Sequence, residues 1–147
     1  MKPITTWIVI ADSARARVMQ NDGPGKGVQA VQGLMFEGDH SPSYAIMADK
    51  PGRAFDSVGN ARHAMEPSPD PHDELKAQFV RRILDALESR IDAYHRLILV
   101  APPQALGLFR KALPAAVAGK VTGELGKDLT HLPNAELPPH LGKMLAL

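Results

Sequence analysis

Leu97-Ile98-Leu99-Val100-Ala101 has no polar side chain on either of its alternating faces, and Pro102-Pro103 stops it abruptly. A strand sends successive side chains to opposite sides of a sheet, so a run that is apolar at every position is covered on both sides. A second run of this kind, Trp7-Ile8-Val9-Ile10, lies in a β-rich stretch from Ile4 to Ala11 that ends at Asp12. A long helical pattern precedes the later run. A doubly buried strand following such a helix implies a right-handed crossover, which brings it in as a parallel neighbour of the first strand.

Working outward from that pair, Asp12-Ser13-Ala14 supplies turn chemistry, and Arg15 to Gln20 reads as a strand pairing back on the first. Asn21-Asp22-Gly23-Pro24-Gly25 breaks the chain again, and Val28 to Glu37 completes an antiparallel meander with loose alternation. From Gly38 to Pro71 neither a period of two nor one of 3.6 is sustained; a segment this long without periodicity in a small domain is more often functional than filler. Asp70-Pro71-His72-Asp73 then has the form of a helix start, with Asp70 as N-cap and proline at the first helical position. Leu75, Phe79, Val80, Ile83, Leu84, Leu87 and Ile91 fill an apolar arc opposite Glu74, Arg81, Asp85, Glu88 and Asp92, and Arg81 can pair with Asp85 one turn on.

Beyond the second apolar run, Leu106, Phe109, Arg110 and Leu113 indicate a short helix, Val121 to Leu125 a strand, and Ala135 to Leu145 a terminal helix. The order of elements is that of an α/β, three-layer ribonuclease H-like domain. Its mixed sheet has about five strands, an antiparallel meander plus parallel strands, with helices on both faces. At 147 residues and 44% apolar content one core is expected, so positions 1–147 read as a single domain with an irregular loop at about 38–71.

Lysine and arginine number 17 against 16 acidic residues, so any contact with a polyanion must come from a local patch. Cysteine is absent, which removes disulfides, thiol nucleophiles and thiolate-based zinc sites, and suits a cytoplasmic setting. The first ten residues are too short a run for a signal peptide or a membrane span. No cofactor and no membrane insertion are expected.

Arg53, Arg62 and His63 share the irregular loop, where two bidentate guanidinium groups and an imidazole could converge on a phosphate. The competing reading has the arginines tying the loop down through Asp56 or Glu66, with Gly52 and Gly59 merely easing turns. His63 and Glu66 are spaced for a histidine–carboxylate pair, as are Asp70 and His72, but neither comes with an identifiable nucleophile or oxyanion donor. Ser57 lacks a nucleophile-elbow context. His63 and His72 do not have a compact ligand spacing, so no metal site is expected. Asp12 meets one demand of a two-metal nuclease, but the fourth strand ends in Ala101-Pro102-Pro103, which leaves the carboxylate set incomplete. Lys127, Asp128 and His131 close the last strand, where Asp128 reads as a cap and Thr130 as a local hydrogen-bonder. Arg15 and Arg17 fall on one face of the second strand, a small basic stripe suited to RNA phosphate or to plain solvation.

Several words carry a resemblance: Trp7-Ile8-Val9-Ile10-Ala11-Asp12 with Ala14-Arg15-Ala16-Arg17, Gly52-Arg53-Ala54-Phe55-Asp56-Ser57, Arg62-His63-Ala64-Met65-Glu66-Pro67, Leu99-Val100-Ala101-Pro102-Pro103, and Gly123-Glu124-Leu125-Gly126-Lys127-Asp128-Leu129-Thr130-His131. In this order they resemble the bacterial host attachment family, the protein required for attachment to host cells. That family is similar in fold to the middle domain of archaeal and eukaryotic class-1 peptide-chain release factors, in which a loop between meander and long helix carries a Gly-Gly-Gln tip for hydrolysis of peptidyl-tRNA. The corresponding loop here has no Gly-Gly-Gln; its nearest glycine-bearing stretch is Ser57-Val58-Gly59-Asn60-Ala61-Arg62-His63.

The leading expectation is a non-enzymatic cytosolic adaptor derived from that fold, which contacts RNA or the ribosome through residues 53–72. Its motive is a long irregular loop rich in arginine and histidine, with Arg53, Arg62 and His63 there and Arg15 and Arg17 on the second strand as phosphate contacts. Two alternatives stay open. One is a hydrolase acting on peptidyl-tRNA or another ester, with water directed by His63 and Glu66. The other is a module that binds another protein and affects attachment indirectly.

Overall fold

The computed structural model describes residues 4–38 and 71–144. In chain order these form strands β1 (Thr6–Ala11), β2 (Arg15–Asn21) and β3 (Gln29–Glu37), helix α1 (Pro71–Ser89), strand β4 (Arg96–Val100), helices α2 (Pro103–Ala112) and α3 (Ala115–Ala118), strand β5 (Val121–Leu125) and helix α4 (Pro138–Leu141). The strands make one mixed sheet in the order β3-β2-β1-β4-β5. β1 pairs antiparallel with β2 and parallel with β4, and β4 pairs parallel with β5.

The two apolar runs are therefore immediate neighbours, in a register that sets Trp7 beside Leu97 and Ile8 beside Ile98. Matching positions point to the same side. Trp7, Val9 and Ala11 with Leu97, Leu99 and Ala101 face α1, α2 and α3, whereas Ile8, Ile10, Ile98 and Val100 face Leu129, Leu137 and Leu141 from the C-terminal stretch. Removing about 25 cal/mol per Å² of apolar surface from water is the main drive for this layering, and strands apolar at every position commit the sheet to two covers.

Each connection has a local cause. After β1 the Asp12 carboxylate accepts the N–H groups of Ala14 and Arg15, both at 2.7 Å, which closes the hairpin. After β2 the Asn21 side chain bonds the backbone of Gly23 and Gly27, and Gly23, Gly25 and Gly27 all take positive φ. The loose alternation read in β3 corresponds to a bulge opposite Arg17 and Met19, where Gly33 has φ +83°. α1 begins at Pro71, as the sequence suggests, and buries Phe79, Val80, Ile83, Leu84 and Leu87.

Three expectations are corrected. Ala135 to Leu145 is not one helix: a 3-10 turn at Asn134–Glu136 is followed by the single turn of α4, because Pro138 and Pro139 lack the N–H donors that would continue the first turn. Pro103 does more than stop a strand, since it stands in the first turn of α2, where a missing N–H costs nothing. Arg81 pairs not with Asp85 but with Glu74, at 3.7 Å and half exposed, a contact of little energetic weight. Among the described residues no helix is long and apolar enough to cross a membrane.

Candidate functional site

At the carboxyl ends of β1 and β4 the chain turns opposite ways: from β1 back to β2, from β4 across to β5. Divergence of this kind opens a crevice between neighbouring parallel strands, the usual place for a ligand in an α/β sheet. A depression of about 330 Å³ lies there, lined by Asp12, Ser13 and Ala14 after β1, by Pro102 and Gln104 after β4, and by Lys76 and Asp128. Beside it the Gly38 N–H donates to Ala14 O at 2.7 Å, and the Arg82 guanidinium donates to Glu37 O at 2.5 Å. Gly38 is itself close-packed, since a Cβ there would come within 3.3 Å of the Phe79 ring. The end of β3 is thus fastened both to the β1–β2 turn and to α1, whose Lys76 faces the same depression.

The polar centre of this rim is Thr130. Its hydroxyl lies 2.6 Å from Asp128 Oδ1 and 3.1 Å from Asp12 Oδ2, and its N–H donates to Asp128 Oδ1 at 3.0 Å. A hydroxyl has one hydrogen, so the shorter contact to Asp128 is the stronger bond. Burial works against ionisation of Asp128 and is the largest single influence. The Thr130 hydroxyl and N–H, with the charges of His131 and Arg15, outweigh it and hold the carboxyl below its ordinary value. Asp128 thus caps a turn, with Leu132 N–H donating to Leu129 O, rather than a helix. Asp12 is similarly committed to the hairpin, so this carboxylate pair reads as joinery between turns and not as an acid–base couple.

Arg15 and Arg17 do share the sheet face that carries the C-terminal stretch, but their situations differ. Arg15 is exposed. Arg17 donates to Thr130 O at 2.9 Å and Leu132 O at 2.6 Å, so its guanidinium fastens the C-terminal stretch to β2. Both line a second depression, of about 530 Å³, with Met35, Glu37 and Thr130.

Arg53, Arg62, His63 and Glu66 lie outside the described residues, as do Gly52, Asp56, Ser57, Gly59 and Asp70. His72 belongs to the first turn of α1 by its backbone. Lys127 and His131 are exposed at the rim. Among the described residues no group of three or more histidine, cysteine, aspartate or glutamate side chains is placed to hold a metal ion. Sequence reading missed Lys76 and Gln104. Their one signal was position, one early in a helix whose start was recognised and the other directly after Pro102-Pro103.

The family model described as protein required for attachment to host cells matches residues 7–141. No curated protein matches the chain. In structure the chain is similar to the crystal structure of an archaeal translation termination factor, aRF1, with a TM-score of 0.51 and 10% sequence identity. That alignment covers 95% of this chain but 38% of the other, so this chain spans well under half the length of the factor it resembles.

Proposed function

Because the chain belongs to the family of proteins required for attachment to host cells, we propose that it acts as a non-enzymatic cytosolic adaptor, contacting RNA or the ribosome through residues 53–72. The family description reports a phenotype and not a chemistry. We read the layers as ribonuclease H-like, and the likeness to a translation termination factor brings translation into view as the setting.

The observation that carries the reading is where residues 39–70 attach. Gly38 is bonded to the β1–β2 turn, and α1, which starts at Pro71, lends Lys76 to the depression beside that turn. Gly38, the described residue that precedes the stretch holding Arg53, Arg62 and His63, therefore lies beside the turn after β1, at the carboxyl edge where a rigid sheet best positions a contact element. Guanidinium pairs suit phosphate through bidentate donation, and exposed Arg15 adds a cation at the same edge.

Ribosome co-sedimentation at low salt tests this, with the intact protein compared to the Arg53→Ala, Arg62→Ala double variant. The wild type is expected to pellet with ribosomes and the variant to lose most of that association. Absence of association for both removes the proposal. Peptide release from purified peptidyl-tRNA that falls sharply in His63→Ala would replace it with a hydrolase.

A further inference from the structure

Residues 126–144 cross the second face of the sheet with only one 3-10 turn and the single turn of α4 as regular structure. Three leucines, Leu129, Leu137 and Leu141, give this strap its apolar hold on β1 and β4. Its leading end is held to the sheet chiefly by the two bonds that Arg17 donates to the Thr130 and Leu132 carbonyls, with the Thr130 hydroxyl 3.1 Å from Asp12 beside them.

Arg17 is an uneasy anchor. Its Nε is buried without a partner, no carboxylate among the described residues pairs with it, and burial first, then neighbouring Arg15, hold its guanidinium below its ordinary pKa. A cation in such a place regains hydration when its cover lifts, while the two carbonyls lose their donors to the sheet. We propose that residues 126–144 open and close on the sheet as one unit, separately from the helix layer, with Arg17 as the latch. Opening uncovers Ile8, Ile10, Ile98 and Val100, so the domain has a second state in which the apolar middle of its sheet is accessible from one side only.

Openings of part of a domain are read by native-state amide hydrogen exchange. On the full chain, the hydrogen-bonded amides of Leu132, Leu137 and Met144 are expected to exchange through a shared opening at least about tenfold faster than those within α1, such as Ile83 and Leu84. Arg17→Met keeps an apolar stem but removes both donors, and should accelerate the strap amides by a further tenfold or so while leaving α1 unchanged. Arg17→Lys retains one cationic donor head and should fall between, so it also carries the test alone if the methionine variant fails to fold. Equal acceleration of strap and α1 in Arg17→Met would show a single cooperative unit, and unchanged strap exchange would show that Arg17 latches nothing; either result overturns the proposal.

Discussion

The two faces of one sheet are built from the same two strands, yet they are covered by different means. The helix side holds the aromatic residues: Trp7 stacks on Tyr94 with ring centroids 4.6 Å apart, and Phe79 and Phe109 join the same cluster. Polar ends are anchored there too. The Tyr94 hydroxyl donates to Leu87 O at 3.0 Å, Trp7 Nε1 donates to Gln20 at 2.9 Å, and Lys120 lies over the Tyr94 ring while bonding the carbonyls of Ile91 and Tyr94. The strap side has no aromatic residue in its cluster and is closed by aliphatic side chains from a stretch with little regular structure. Doubly apolar strands demand two covers but do not require the covers to be equally firm.

The largest expected effect is on the helix side. Trp7→Ala removes the stacked ring and should lower unfolding stability by about 3–5 kcal/mol in urea denaturation. Leu141→Ala, on the strap, should cost nearer to about 2 kcal/mol, the low end for a buried leucine, because a loosely structured cover can settle into part of the space. Equal losses for the two would break the contrast.

Smaller effects come from pH, with opposite signs on the two faces. Burial first, then the charge of Glu88, pushes the Tyr94 phenol up to about 12. Its folded pKa exceeds the unfolded value of about 10, so the stability it contributes is fully present below pH ~10 and is lost as pH rises through the folded value. Asp128 has a depressed pKa, so its contribution is present above the ordinary carboxylate range of about 4 and is lost as pH falls through its folded pKa. Alkali is therefore expected to loosen the helix side and acid the strap, as read by near-ultraviolet circular dichroism of the aromatic cluster and by exchange of the strap amides respectively.

What could be read in the sequence follows from how local its physical cause is. Strands β1 and β4 were visible to within two residues at either end because, past Thr6 and Arg96 at their starts, burial on both faces leaves no polar position to confuse the pattern. The start of α1 at Pro71 was equally plain, since proline there has one favourable place. The C-terminal stretch was misread because Leu137 and Leu141 have helical spacing, and the pair Pro138-Pro139 limits the helix to one turn. The joints at the rim were beyond sequence reading for another reason: Arg17 with Leu132, Asp12 with Thr130, and Gly38 with Ala14 are meetings of distant positions. Arg17 looked like half of a basic stripe, and nothing local marks a guanidinium that will be taken by carbonyls.

We propose that Arg53 and Arg62 contact phosphate on the ribosome. Binding of the intact protein to isolated ribosomes, measured across a salt series, examines those contacts directly. Affinity should fall linearly on a log–log plot, and the Arg53→Ala, Arg62→Ala variant should bind more weakly with a slope shallower by about one unit per arginine removed. Affinity independent of salt, or a slope identical in the variant, would contradict it.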